Sequence, residues 1–333
     1  MKDYKLTVIM SNYNQEKLIH RAIKSVLEQE TNFDFKIIIT DDNSTKDNSI
    51  NVISEYEERY ENIEGIYATK NGGYLTNILR AKEITKTPYF CLLDADDYWT
   101  DMHWLQKAYD FLEKNPDYVI YEANVEVISD NPKGSRKTFI PNEINECSFC
   151  KEDMYLGKKI IITQTTGQFF RNVIFKNGIP KIMNEAIGTL SERSFEGDTD
   201  RFMMHFKYGK AHYCNEIVGV YSWSSTGIWA RLCKSQMELI SARSYMDYYY
   251  FYEEHLEYFV NKSWKHLVNY FDAKKLELVE LNRNCLFDSK ECENYNNVYN
   301  FCLENESYIT PLKKTIKEKI KNIVKVVLEA FMK

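Results

Sequence analysis

Residues 5–44 read KLTVIMSNYNQEKLIHRAIKSVLEQETNFDFKIIITDDNS, and the fold class is decided by this stretch. Lys5–Met10 is a short apolar run that stops at Ser11-Asn12-Tyr13-Asn14, the pattern of a buried strand. In Glu16–Gln29, Leu18, Ala22, Ile23, Val26 and Leu27 share one face at helical spacing, which predicts an amphipathic helix. Phe35–Thr40 is a second apolar run, closed by Asp41-Asp42-Asn43-Ser44. Strand, helix and strand in so short a span make a βαβ unit with parallel strands.

The alternation continues outward. Ser49–Tyr60 is helical, Ile63–Ala68 is a third strand, Asn71-Gly72-Gly73 is a turn, and Tyr74–Thr85 is helical. Tyr89–Leu93 is a fourth strand and ends in Asp94-Ala95-Asp96-Asp97. The expected class is α/β, a Rossmann-like, mostly parallel sheet with flanking helices. In such sheets the ligand crevice lies beyond the carboxyl ends of the strands. The clusters SNYN, DDNS and DADD should therefore converge on one site.

Beyond Tyr118 the pattern loosens. Val119–Ile128 alternates like a strand and Asn131–Arg136 is a turn-rich loop. Gly167–Phe175 and Lys210–Ser222 read as strands flanking an acidic helix near Asp198–Lys207. From Trp229 the chain is helical and rich in Tyr. The expected division is 1–234, a catalytic domain; 235–310, a helical region; and 311–333, a basic amphipathic helix. In the last, Leu312, Ile316, Ile320, Ile323, Val324, Val327, Leu328 and Phe331 share a face, with seven Lys against two Glu. That pattern fits contact with an anionic membrane surface, and equally a helix packed on the catalytic domain or on a second subunit of a homo-oligomer.

Composition sets bounds. The chain has 333 residues, 44% apolar and 28% charged, enough for a sizeable core. A net charge of -6 argues against nucleic acid as a partner. No 18-residue apolar run and no signal peptide are visible, so a cytoplasmic protein is expected, peripheral at most on the inner face of the membrane. Eight cysteines fit a reducing compartment, and the lone CxxC pair Cys147/Cys150 supplies only half a zinc shell.

The acids carry the chemistry. A pyrophosphate leaving group needs its charge neutralised, and a Mg²⁺ or Mn²⁺ ion held by one or two carboxylates does so. Asp94-Ala95-Asp96-Asp97 offers such carboxylates, though a solvated acidic turn fits the same letters. A carboxylate in Asp41-Asp42 can accept from a base imide or a ribose hydroxyl, while Ser44 or Asp47 suits a helix N-cap.

VIMSNYNQEKLIHRAIKSVLEQ, then DDNSTKDNS, then LLDADDYWTD, followed by WLQKAYDFLEKNPDYV, together resemble a bacterial family 2 glycosyltransferase with the GT-A fold. Asn71-Gly72-Gly73 and Arg80 are similar to a turn and helix of that family, and the resemblance spans about residues 5–230. It implies a nucleotide-sugar donor, typically a UDP-sugar, a glycan or lipid-linked acceptor of cell-surface polysaccharide synthesis, and inversion at the anomeric carbon. It implies that Asp42 contacts the base and that Asn12 and Tyr13 line the nucleotide pocket. Asp96 would be the direct metal ligand, and Asp94 would face ribose or a metal-bound water. Arg80 would sit near the diphosphate or steady the metal-site carboxylates.

Inversion also needs a general base for the acceptor hydroxyl. In FEGDTDRFMMHF, Asp198 matches the family's position for it, with Glu196 and Asp200 as the alternative candidates for the base; Asp200 is also placed towards the acceptor or sugar pocket. TQTTGQFFRN resembles a segment supporting the acceptor side. Tyr221, Gly227 and Trp229 match a closing motif written YRxHxxGxW in relatives, with Trp229 as a wall of the sugar pocket, but Ser222 and Ser224 replace its Arg and His. That departure leaves room for a nucleotide-sugar-binding protein with impaired catalysis. A nucleotidyltransferase is the weaker alternative, because SNYNQEKL lacks the Gly-rich loop of that class.

Overall fold

The computed structural model describes residues 2–279 and 289–309. Two compact units divide the chain: 1–187 with 196–225, and 188–195 with the chain from Thr226 onward.

The first unit is built on strands whose side chains are covered on both faces. β1 (Leu6–Asn12), β2 (Phe35–Asp41) and β4 (Tyr89–Asp94) are near-continuous apolar runs, and Leu6, Val8, Ile9, Met10, Ile37, Ile39, Phe90 and Leu93 are fully buried. α1 (Glu16–Leu27) buries Ile19, Ala22, Ile23 and Val26. Leu18, expected on that face, is 37% exposed. The unbroken stripe 19-22-23-26 leaves position 18 about 100° off it. α1 and α2 (Ser49–Arg59) cap each other. The Asp47 carboxylate accepts from Glu16 N at 2.9 Å and from Ser49 N at 3.0 Å, and Glu16 Oε2 accepts from Asn48 N at 3.0 Å. Of the two proposed caps, Asp47 does the work and Ser44 does not.

β3 (Ile63–Tyr67) lies beyond β2, and β4 lies on the other side of β1, so the strand order reverses between β1 and β4. That reversal opens a crevice at their carboxyl ends. α3 (Gly73–Ile84) connects β3 to β4, and α4 (Trp104–Lys114) buries Trp104, Leu105, Ala108 and Leu112 in the same core. The remaining strands are β5 (Tyr98–Trp99), β6 (Tyr118–Ser129), β7 (Cys147–Phe149), β8 (Gln168–Arg171) and β9 (Lys210–Trp223). Among the described residues the sheet runs β3-β2-β1-β4-β8-β6-β9-β5, with β7 also paired to β9. Its first half is parallel; β8 is antiparallel to both β4 and β6. β8 is shorter than the expected 167–175, because Asn172 turns away and donates to the carbonyls of Thr85 at 3.1 Å and Thr87 at 3.0 Å. α5 (Lys151–Tyr155), α6 (Lys181–Ala186) and α7 (Asp198–Phe206) complete this part of the chain, α7 in the expected place.

The second unit is helical: α8 (Lys234–Tyr252), α9 (Leu256–Val279) and α10 (Ser289–Glu304) pack Leu239, Val260, Trp264, Leu267, Val298 and Phe301 together. A buried ion pair, Lys274 Nζ to Glu291 Oε1 at 2.7 Å, joins α9 to α10. Cys147 and Cys150 are free thiols, and Cys233 is disulfide-bonded. No described helix is long and apolar enough to cross a membrane. The tail 311–333, with its predicted membrane contact, lies outside the described residues.

Candidate active site

The three polar clusters meet, because the strands that carry them are neighbours in register: Asn12 pairs with Asp41, and Ser11 with Asp94. Asn12 is buried, and its Nδ2 donates to Asp41 Oδ2 at 2.7 Å and to Ser44 Oγ at 3.3 Å. Asn14 and Asn43 hold left-handed φ angles of 53° and 60°. Asn14 Oδ1 accepts from Thr45 N at 3.1 Å and Lys46 N at 2.9 Å, so the SNYN and DDNS loops lock together. Tyr13 stays 43% exposed on this rim.

Asp42 is buried and accepts from Gly72 N and Gly73 N at 2.9 Å each, at the start of α3. Arg80, farther along α3, places Nη1 3.5 Å from Asp42 Oδ1 and 3.1 Å from Asn77 Oδ1. Its helix is docked on Asp42, and the guanidinium pairs there.

On the other side of β1, Asp94 accepts from Tyr74 Oη at 3.2 Å. Burial, and then the charge of Asp96, push its carboxyl up to about 6. Burial likewise raises Asp96. Asp97 is raised well above the usual range by burial and by both neighbours; it accepts from Ser222 N at 2.7 Å and from the Thr166 hydroxyl. The Asp96 carbonyl accepts from Ser222 Oγ at 2.6 Å and from Arg21 Nη2 at 2.8 Å, while Arg21 lies 4.0 Å over the Tyr98 ring.

Asp198 opens α7, half-buried, with Oδ1 accepting from Thr199 N at 2.7 Å. Burial raises its carboxyl, and the buried Arg201 guanidinium opposes the rise. The same guanidinium opposes the rise at Asp94, whose carboxyl also feels the charge of Asp198. Tyr221 ties the groups together: burial, and then Asp97, Asp198, Asp94 and Asp96, push its phenol up to about 12. Asp200 departs from expectation. It is 3% exposed, and Oδ1 folds back to accept from Gly197 N as the cap of α7, so the carboxylate is turned inward. Trp229 belongs to the second unit and is 42% exposed.

A family model described as glycosyl transferase family 2 matches residues 7–178, more than half of the chain. The chain belongs to this family. It is a family 2 glycosyltransferase with a GT-A fold and a helical C-terminal region. An uncharacterised glycosyltransferase of Nostoc sp. is 37% identical over 131 residues, 39% of each chain. The poly(ribitol-phosphate) beta-glucosyltransferase of Bacillus spizizenii is 34% identical over 113 residues, 33% of this chain and 18% of that protein. The chain thus covers well under two thirds of these relatives. Among solved structures, S. aureus TarS 1-349 in complex with UDP-GlcNAc superposes with a TM-score of 0.57 at 16% identity, over 88% of this chain and 90% of that one, a likeness of fold.

Among the described residues of this glycosyltransferase, no group of three His, Cys, Asp or Glu side chains could hold a metal ion. Asp94 and Asp96 offer a pair of carboxylates two residues apart, and the charge of Asp96 adds to the burial that raises Asp94. A carboxylate pair fits Mg²⁺ or Mn²⁺ when diphosphate and water fill the other positions. Sequence reasoning missed Tyr74, Arg21 and Arg201 in this site. Arg201 had a signal: FMMHF follows it, an apolar run that buries most of its helix.

Proposed function

We propose that this glycosyltransferase transfers a hexose or N-acetylhexosamine from a nucleotide-sugar, a UDP-sugar, to a hydroxyl of a glycan or lipid-linked acceptor, with inversion. The observation that carries the reading is that the polar ends of β1, β2 and β4 meet in register, while Gln168 on β8, the strand beside β4, reaches the carbonyl of Asp198 at the start of α7 at 3.4 Å. A divalent ion bound by Asp94 and Asp96 would supply the charge that stabilises the departing diphosphate. Asp198 takes the proton of the acceptor hydroxyl as general base. Asp42, Asn12 and Tyr13 bound the base pocket, with Asp42 fixed by Gly72, Gly73 and Arg80 and Tyr13 exposed for stacking. The UDP-GlcNAc in the TarS complex and the activity named for the Bacillus relative support a UDP-sugar and a surface-polymer acceptor.

Residues 1–234 carry this chemistry, and 235–310 form a second region that is helical where it is described. Through 311–333 the protein touches the inner face of the cytoplasmic membrane. The apolar stripe and the lysine excess of that segment support the contact.

The test is calorimetry of UDP binding. With Mn²⁺ the affinity should exceed that in EDTA by at least about tenfold, equivalent to about 1.4 kcal/mol. Asp96→Ala should abolish the difference. Equal affinity in Mn²⁺ and EDTA for the unmutated protein would overturn the metal-dependent reading.

A further inference from the structure

Thr163–Gln168 (TQTTGQ) is a buried segment that the proposed mechanism leaves unused. Thr163, Thr165, Thr166 and Gln168 are each at most 5% exposed, as are their partners Glu122, Asp97 and Arg201. On one side the segment grips the acidic turn. The Thr166 hydroxyl donates to Asp97 Oδ2, and the Thr166 carbonyl accepts from Trp99 Nε1 at 2.8 Å. On the other side it grips α7. Thr165 Oγ1 accepts from Arg201 Nη2, and Gln168 Nε2 lies 3.4 Å from the carbonyl of Asp198 itself. The segment is anchored beneath by Glu122, whose Oε1 accepts from Thr163 N at 2.9 Å and Gln168 Nε2 at 3.0 Å. Gly167 packs so closely that an added Cβ would stand 2.2 Å from the Ala123 carbonyl.

We infer that Thr163–Gln168 is a positioning element that sets where the Asp198 carboxylate stands relative to the Asp94–Asp97 turn, acting on the turn through Thr166 and on α7 through Thr165 and Gln168. The inference rests on the reading of Asp198 as general base. The two groups come from elements a hundred residues apart in sequence, β4 and α7. A misplacement of about 1 Å between reacting groups lowers rate on the order of 100-fold. Buried hydrogen bonds to both sides of one short segment hold such a distance more stiffly than solvent-exposed contacts do.

The experiment uses the full chain, with UDP release from a UDP-hexose donor in Mn²⁺ as the rate and calorimetric UDP affinity as the binding readout. Thr165→Val keeps volume and removes the hydroxyl; Thr165→Ser restores it; Gln168→Met removes the amide that donates to Glu122, Thr163 and Asp198. Val and Met are expected to lower kcat by about 10- to 100-fold with UDP affinity within about twofold, and Ser to keep kcat within about threefold. In an Asp198→Asn background, Thr165→Val should lower the residual rate far less, because the group it positions is gone. Asp198→Asn with normal turnover sinks the base assignment and this inference together. An impaired Asp198→Asn beside Thr165→Val and Gln168→Met at full kcat sinks this inference alone, as does an equal loss in Thr165→Val and Thr165→Ser.

Discussion

Glu122, on β6, is fully buried; Oε1 gathers hydrogen bonds from Thr163 and Gln168, and Oε2 has no partner among the described residues. Burial pushes its carboxyl up to about 8. Between about pH 4.5 and 8 the folded chain holds a proton that the unfolded chain has released. Stability from this group is therefore greatest below the unfolded pKa and falls as pH rises towards the folded one, by about 1.4 kcal/mol per pH unit. Glu122→Gln keeps the shape and one acceptor and removes the titration. Urea unfolding of the two proteins between pH 5 and 8 should show the variant's slope flatter by about one proton; equal slopes would contradict a protonated Glu122. Nothing in the sequence marked this residue, since YEANVEV reads only as an alternating strand. The same limit applies to Asp200, whose letters match an active-site acid while its carboxylate caps α7 from the first turn.

At the scale of elements, β6, β8 and the turn before β8 are set by one close approach. β8 pairs with β6 at Ile120–Phe170, Tyr121–Phe169 and Glu122–Gln168, and Gly167, just before that register, sits so close that an added Cβ would lie 2.2 Å from the Ala123 carbonyl. Gly167→Ala has no room: the new Cβ meets backbone, which cannot swing aside as a side chain does. Destabilisation of about 1–3 kcal/mol or more is expected, read as a lower urea midpoint with unchanged slope. At Gly197 an added Cβ meets only ordinary contacts, the nearest 3.4 Å away on Asp200, so Gly197→Ala should stay within about 1 kcal/mol. A midpoint loss as large at 197 as at 167 would refute the close-approach argument. The sequence placed a strand here but ran it on to Phe175, because apolar letters continue past the point where Asn172 leaves the sheet.

For the whole molecule, the tail 311–333 supports a prediction from charge and amphipathicity. Each lysine near an anionic surface contributes about 1 kcal/mol, screened over about 10 Å at 0.1 M salt. The full chain should co-sediment with anionic vesicles at low salt, release at high salt, and ignore neutral vesicles, while a 1–310 truncation stays in the supernatant. Both forms remaining in the supernatant with anionic vesicles at low salt would overturn the anchor. What the sequence by itself determined is the βαβ order, the strand ends that carry polar clusters, and the family, because burial on both faces writes continuous apolar runs and parallel strands need helices between them. DADD and DDNS were legible for the same reason: a polar break after a buried strand can only lie at its end. Tertiary structure alone decided that Arg80 pairs with Asp42, that Asp200 turns inward, and that Arg201 lies buried among acids near Asp94 and Asp198. These are choices of partner between elements distant in the chain. A charged side chain's letter fixes its charge, but its partner is fixed by whichever surface the packed sheet and helices bring against it.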